Sequence, residues 1–283
     1  MAVRTLTLDE VETRRAHRWR TLPSRRVQNE REAQRFVSEL GFVLLMPIRG
    51  TELACMRTAC QRDWVWWDWK QTLPARKACY YAKLIRNRGT FVSWKLFPGF
   101  YAACADARPY DQLYRDGLLD ADEKRVLDLL AEEGPMMTRE LRLAFAPRSK
   151  ANTRRVKSIL VELQRRFLIT ASGGDTSGWS HHQWDLVERW VPARTLRKAT
   201  LLSQREARCQ VVSQFVQNQI ATTEADIAWT LGWDKDVVSA LVQELLESGR
   251  AQRAHLPELE VEALIPKPYP RSREASRDRR GLR

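Results

Sequence analysis

A chain of 283 residues is long enough for one large core or several small ones. Hydrophobic residues make up 43% and charged residues 29%, a globular balance that excludes wholesale disorder. The net charge of +13 favours a polyanionic partner, nucleic acid first and an anionic membrane surface second.

No apolar run approaches the ~18 residues of a membrane span. The opening MAVRTLTLDEVETRR lacks the apolar stretch of a signal peptide, so a cytosolic protein is expected. The cysteines Cys55, Cys60, Cys79, Cys104 and Cys209 are odd in number and form no C-x-x-C pair. Their spacing gives no zinc or iron–sulfur site, and reduced core thiols are expected. His181 and His182 are adjacent, point to different sides of a strand, and are expected to dress a hairpin rather than hold a metal.

In chain order, Leu6 to Trp19 reads as a helix with Asp9 at its start, followed by a break at Leu22-Pro23-Ser24. Asn29 to Leu40 is a second helix with Ala33, Phe36, Val37 and Leu40 at core spacing and Gly41 as its stop. Phe42 to Ile48 reads as a buried strand, and Thr51 to Cys60 as a helix. Trp64, Trp66, Trp67 and Trp69 follow within DWVWWDWK. Ala75 to Arg86 is expected to be helical, Thr90 to Pro98 a strand, and Pro98 to Asp120 short helix and loop.

From Asp122 to Glu188 come two short amphipathic segments around Gly134-Pro135, then SKANTRRVKSILVELQRRF, then two strand-like runs. Val156, Ile159, Leu160 and Leu163 make one apolar face on the third segment, and Arg154, Arg155, Lys157 and Arg165 keep the remainder basic. Three helices and a hairpin, the third helix basic, is the order of a winged helix. After a linker at Ala193 to Arg197, the order recurs: Gln204 to Ile220, Thr223 to Leu231, Asp234 to Leu246 and a hairpin from Gln252 to Leu264. Asp234, Asp236, Glu244 and Glu247 make this third helix acidic, better suited to packing on protein than to a groove.

The expected fold is therefore mainly α with small β-hairpins, an α+β chain of tandem winged-helix domains. Its expected divisions are 1–120 (a helix-turn-helix-like unit with an aromatic-rich insertion), 121–192, 193–265 and a disordered basic tail at 266–283.

ELGFVLLMPIRGTEL, the aromatic WVWWDWK and YYAKLIR segments, and the two C-terminal winged helices together resemble the AlkZ/YcaQ family of bacterial DNA glycosylases. The resemblance runs from about Leu8 to Ile265 and lies in the order of the pieces rather than in one motif. It implies a fold that handles alkylated or crosslinked DNA. It also implies a Gln-x-Gln or Gln-x-Asp pair that positions water at the glycosidic carbon. Where one family pattern reads Gly-Phe-Val-Gln-Ile-Asp, this chain has Gly41-Phe42-Val43-Leu44-Leu45-Met46. Leu44 and Met46 stand at the two polar positions and neither activates water.

Three functions remain open. One is a DNA-binding protein of this fold that lacks the catalytic pair. Another is a glycosylase with a relocated carboxylate, Glu52 first and Asp63 second, although the plainer reading of Glu52 is that it favours a helix N-terminus. The last is a transcription regulator, for which no sensor or coiled coil is evident. Expected contacts to double-stranded DNA are Arg148, Lys150, Asn152, Arg154, Arg155 and Lys157 around the basic helix, with Arg14, Arg15, Arg18 and Arg20 of the first helix. The wing tip, Ser172 to Ser180, is a further contact candidate. The tryptophans, Trp66 and Trp67 foremost, either stack on an extruded base or pack a core. No cofactor or metal is expected, and nothing in the chain sets an oligomeric state.

Overall fold

The computed structural model describes residues 4–60, 64–145, 149–176 and 181–268. The chain forms two compact units, one of residues 27–208 and one of residues 1–26 with 209–283.

In the larger unit, helix Glu30–Leu40 starts at Asn29, whose side chain accepts from the Glu32 amide. It buries Ala33, Phe36, Val37 and Leu40 and stops at Gly41, whose φ of 74° favours glycine. The strand that follows is shorter than its apolar run, Phe42–Leu44. It pairs with Arg88–Val92, in the register Phe42 to Val92 and Leu44 to Thr90. The Leu45 amide still donates to Gly89 O at 2.8 Å, and Met46 lies past the paired stretch. The expected helix from Thr51 is confined to Met56–Ala59. Upstream of it, the Leu44 amide donates to Ala54 O and the chain bridges Leu44 to Cys55, and that pairing replaces helical hydrogen bonds.

Ala75 to Arg86 corrects the helical expectation. The helix is Val65–Ala75, and Tyr80–Ile85 is a strand. It forms a hairpin with Arg88–Val92 through Arg86 and Asn87, both at positive φ (48° and 59°), as a tight hairpin turn requires. The aromatic and branched residues of both strands suit a pleated sheet, and pairing overrides the helical spacing. The Phe42–Leu44, Arg88–Val92 and Tyr80–Ile85 strands make one antiparallel sheet with Arg88–Val92 in the middle. Val92 also ends the expected Thr90–Pro98 strand, because Pro98 sits in the first turn of helix Phe97–Cys104, where its missing N–H costs nothing.

Gly89 lies under the Tyr81 ring. A Cβ there would stand 2.1 Å from Tyr81 Oη and 2.8 Å from its Cζ. Tyr81 is buried and has little room to swing away. Gly89→Ala is expected to lower stability by about 1–3 kcal/mol, read as a fall in urea midpoint. An unchanged midpoint would mean that the ring relaxes freely.

The first winged helix forms as expected. Asp120 and Glu123 build a capping box on helix Ala121–Glu133, which ends at Gly134 (φ 86°). Helix Thr138–Phe145 and the basic helix Lys150–Arg165 follow, the latter capped by Ser149. Strands Ile169–Gly174 and His182–Leu186 make the wing, with Met136–Met137 as the third strand.

Residues 193–197 are not a linker. They open helix Ala193–Thr200, which buries Thr195 and Ala199 and packs on helix Phe97–Cys104. The expected boundaries at 120/121 and 192/193 therefore fall inside continuous packing. Tyr80 stacks on Phe167 at 5.5 Å, the Lys83 amide donates to Gln164 Oε1 at 3.0 Å, and Lys77 Nζ donates to Trp190 O at 2.8 Å. Apolar area on the hairpin and on the winged helix is buried by one against the other, so neither closes a core alone.

The smaller unit repeats the helix–helix–hairpin order. Thr223 and Asp226 cap helix Glu224–Leu231, Gly232 (φ 69°) ends it, and helix Lys235–Glu247 follows. Strands Ala251–Leu256 and Val261–Pro266 close the unit. Arg4–Thr5 adds a parallel strand to Ala251–Leu256, placing the chain's start here rather than in a first helix-turn-helix unit with Asn29 to Ile48. Helix Leu8–Arg18 is capped by Thr7 with Glu10, not by Asp9. Leu6 and Val11 share a core with Ile220, Ala254, Leu256 and Ile265.

Candidate nucleic-acid interface

The basic helix buries Val156, Ile159, Leu160 and Leu163 and leaves Lys150, Arg154, Arg155 and Lys157 exposed. Asn152 is half-buried, its amide donating to Ser149 Oγ. Arg155 pairs with Asp122 and lies 5.9 Å from the Phe145 ring centroid. Arg148 lies outside the described residues, as do residues 177–180 of the expected wing tip.

Beside this helix a cleft of about 510 Å³ opens between the antiparallel sheet and the winged helix. Leu45 and Met46 line it from the first strand's end, Trp67 and Lys70 from the tryptophan helix, and Tyr81 and Lys83 from the hairpin. Arg142, Lys157, His182 and Trp184 line it from the winged helix, and Arg88 from the hairpin's second strand. Among the described residues, five cations and no carboxylate face this space.

Burial shifts the proton affinities of the basic groups in the cleft. Burial holds Lys70 down to about 7, with Asp68 opposing. Its ammonium donates to Trp67 O at 2.9 Å and lies 3.5 Å from the Trp67 ring centroid. Lys83 is lowered by burial, then by Lys157 and Arg88. Desolvation, then Lys70, Lys83 and His181, pushes His182 down to about 3, leaving it a neutral ring 5.6 Å from Tyr81 and 5.2 Å from Trp184. Thr138 fastens this wall, donating to His182 O at 3.0 Å and accepting from Trp184 Nε1 at 2.8 Å.

Leu44 is fully buried within the sheet, whereas Met46 is partly exposed at the cleft. Glu52 is exposed in the non-helical stretch before Met56–Ala59, starts no helix and does not line the cleft. Asp63 lies outside the described residues. Trp66 is buried against Trp64 and Trp67 (6.0 and 5.7 Å), and Trp69 is buried too, so of these rings Trp67 is the one that lines the cleft. Trp64 is 72% exposed.

Arg14, Arg15 and Arg18 belong to the smaller unit. Arg15 donates to the Gln219 and Ala221 carbonyls at 2.9 Å each, and Arg18 to Asn218 Oδ1 at 3.1 Å. They serve the C-terminal end of helix Gln204–Gln219, where carbonyls lack helical partners. Arg14 donates to Glu10 O, and Arg20 follows the first helix at φ 57°. Lys70, beside the tryptophans, suits a damage pocket from its sequence neighbours, whereas Lys83, Arg88, Arg142 and His182 are not marked as site residues by the sequence. The alternation of YYAKLI, read as a strand, would have put Tyr81 and Lys83 on one face. His182 holds the wing hairpin as expected, and no metal-binding group of His, Cys, Asp or Glu occurs among the described residues. All five cysteines are free; Cys104 is exposed and the other four are buried.

The model of the AlkZ-related family matches residues 27–232. The chain belongs to this family. The DNA glycosylase AlkZ of Streptomyces sahachiroi has the same fold at 14% identity, with a TM-score of 0.61 over 93% of this chain and 71% of that one. No curated protein matches. The α+β, winged-helix architecture thus accompanies the family, and among the described residues no helix is long and apolar enough to cross a membrane.

Proposed function

We propose that this AlkZ-related protein binds double-stranded DNA through the exposed cations of helix Lys150–Arg165 and recognises distorted or damaged DNA at the adjoining cleft, without base excision by the family's polar pair. One observation carries this reading: Lys157 belongs both to the exposed basic helix and to a cleft that, among the described residues, holds five cations and no carboxylate. Phosphates are the natural counter-charge for such a surface. The solved AlkZ structure, named as a DNA glycosylase, supports DNA as the partner. Leu44 and Met46 remove the usual water-positioning groups, and Glu52 is not among the residues that line the cleft. The protein then works in a bacterial cytoplasm with the nucleoid and requires no metal or cofactor.

Fluorescence anisotropy with a short duplex is expected to show affinity falling steeply with salt. Arg154→Ala with Lys157→Ala should weaken binding about tenfold and lower the slope of log affinity against log salt by about 2. Duplex carrying N7-alkylguanine should be bound with no base released. Binding that ignores salt and both substitutions would overturn the reading. Base release abolished by Glu52→Gln would replace it with a relocated active site.

A further inference from the structure

Among the described residues the cleft has no carboxylate, and it is rich in amines. Lys70 and Lys83 both reach it, and they are not equivalent. The Lys70 ammonium is engaged by the Trp67 carbonyl and ring. Lys83 has Lys157 and Arg88 as its charged neighbours and no ion pair with an acid among the described residues. Its strand is held from both sides, by the Gly89 pairing and by Gln164 Oε1 on the Lys83 amide. A partly desolvated lysine beside other cations is the setting in which an amine becomes a nucleophile for carbonyl carbon. In DNA, a carbonyl flanked by phosphates occurs where a base is missing, as the ring-opened aldehyde of deoxyribose. The phosphates would meet Lys157, Arg88 and Arg142, and the aldehyde would meet an amine.

We infer that the cleft is a site for abasic DNA and that Lys83 Nζ captures its aldehyde as an imine. This rests on the DNA-binding reading above. The neutral amine donates its lone pair to C1′, the carbonyl oxygen takes up a proton, and a carbinolamine forms. Loss of water, carrying away the former carbonyl oxygen, leaves a protonated imine joining Lys83 to the deoxyribose. No oxidant or reductant takes part. The lowered proton affinity of Lys83 raises the fraction of neutral amine near neutral pH.

The test is borohydride trapping of the full-length protein with abasic duplex, run beside anisotropy on a duplex carrying the tetrahydrofuran analogue, which has no aldehyde. Hydride reduces the imine to a stable amine, giving a protein–DNA adduct on a denaturing gel. The adduct is expected from the wild type and from Lys70→Arg, and to fall about tenfold or more in Lys83→Arg and Lys83→Met. The tetrahydrofuran duplex, which forms no imine, measures each variant's binding apart from capture, and adducts are compared at saturating duplex. Thermal midpoints of the variants report folding. An adduct that survives in Lys83→Arg, or is lost only in Lys70→Arg, overturns the assignment. Absence of any adduct overturns the inference as well. In that case salt-sensitive binding of the tetrahydrofuran duplex leaves the DNA reading standing, and no binding removes both.

Discussion

Tyr80→Ala is expected to cost about 3–5 kcal/mol, a large part of the stability of a single folded unit. Tyr80 is fully buried, with Phe97 at 4.8 Å, Phe167 at 5.5 Å and Trp190 at 6.3 Å between ring centroids. Those partners come from helix Phe97–Cys104, the end of the basic helix and the segment after the wing. Its loss leaves a cavity where three segments meet the sheet, and the surrounding rings are too rigid to fill it. Urea unfolding followed by tryptophan fluorescence checks this. A loss below about 1 kcal/mol would mean that the hairpin and the winged helix are energetically independent. Tyr81 and Lys83 lie on the same strand, so the substitution should weaken DNA binding along with stability.

Acid is expected to destabilise the larger unit well before its carboxylates titrate. His182 is held down to about 3, against an ordinary value of 6.5, by desolvation and by Lys70, Lys83 and His181. Between these values the unfolded chain binds the proton and the folded chain does not. Its stabilising contribution is therefore complete above about pH 6.5 and is lost progressively as pH falls toward 3. From pH 7 to pH 5 the loss amounts to about 1–2 kcal/mol, the lower figure allowing for the half-buried ring. Lys70 acts in the same direction, though weakly, since at about 7 it already gains most of its proton near neutrality. Urea midpoints at pH 7 and pH 5 for the wild type and His182→Gln make the comparison. The variant should lose most of the pH dependence. An equal dependence in both would show that His182 is protonated without cost.

The features legible in the chain were those whose causes are local. Asp120 with Glu123, Ser149, and Thr223 with Asp226 cap their helices, and Gly134 and Gly232 end theirs, so both winged helices could be drawn from neighbouring residues alone. The apolar face of Val156, Ile159, Leu160 and Leu163 likewise dictated which side of the basic helix stays in water. Cys104, expected among core thiols, is exposed because it ends its helix at the surface.

Partner-dependent features were not legible. Tyr80–Ile85 fits helical spacing as well as a strand, and the choice falls to Arg88–Val92, which supplies its hydrogen bonds. Arg15 and Arg18 look like any basic helix face until the Gln219 and Ala221 carbonyls and Asn218 Oδ1, some two hundred residues away, come within reach. Sequence by itself therefore determined the two winged helices, the basic third helix and the replacement of the polar pair by Leu44 and Met46, because each depends on residue identity and near neighbours. Tertiary structure alone decided the cleft, since Met46, Trp67, Lys83, Arg142 and Lys157 meet only when separate segments bury their apolar faces together. It also decided the proton affinities of Lys70, Lys83 and His182, which follow from how much water that packing excludes and how many cations it leaves face to face.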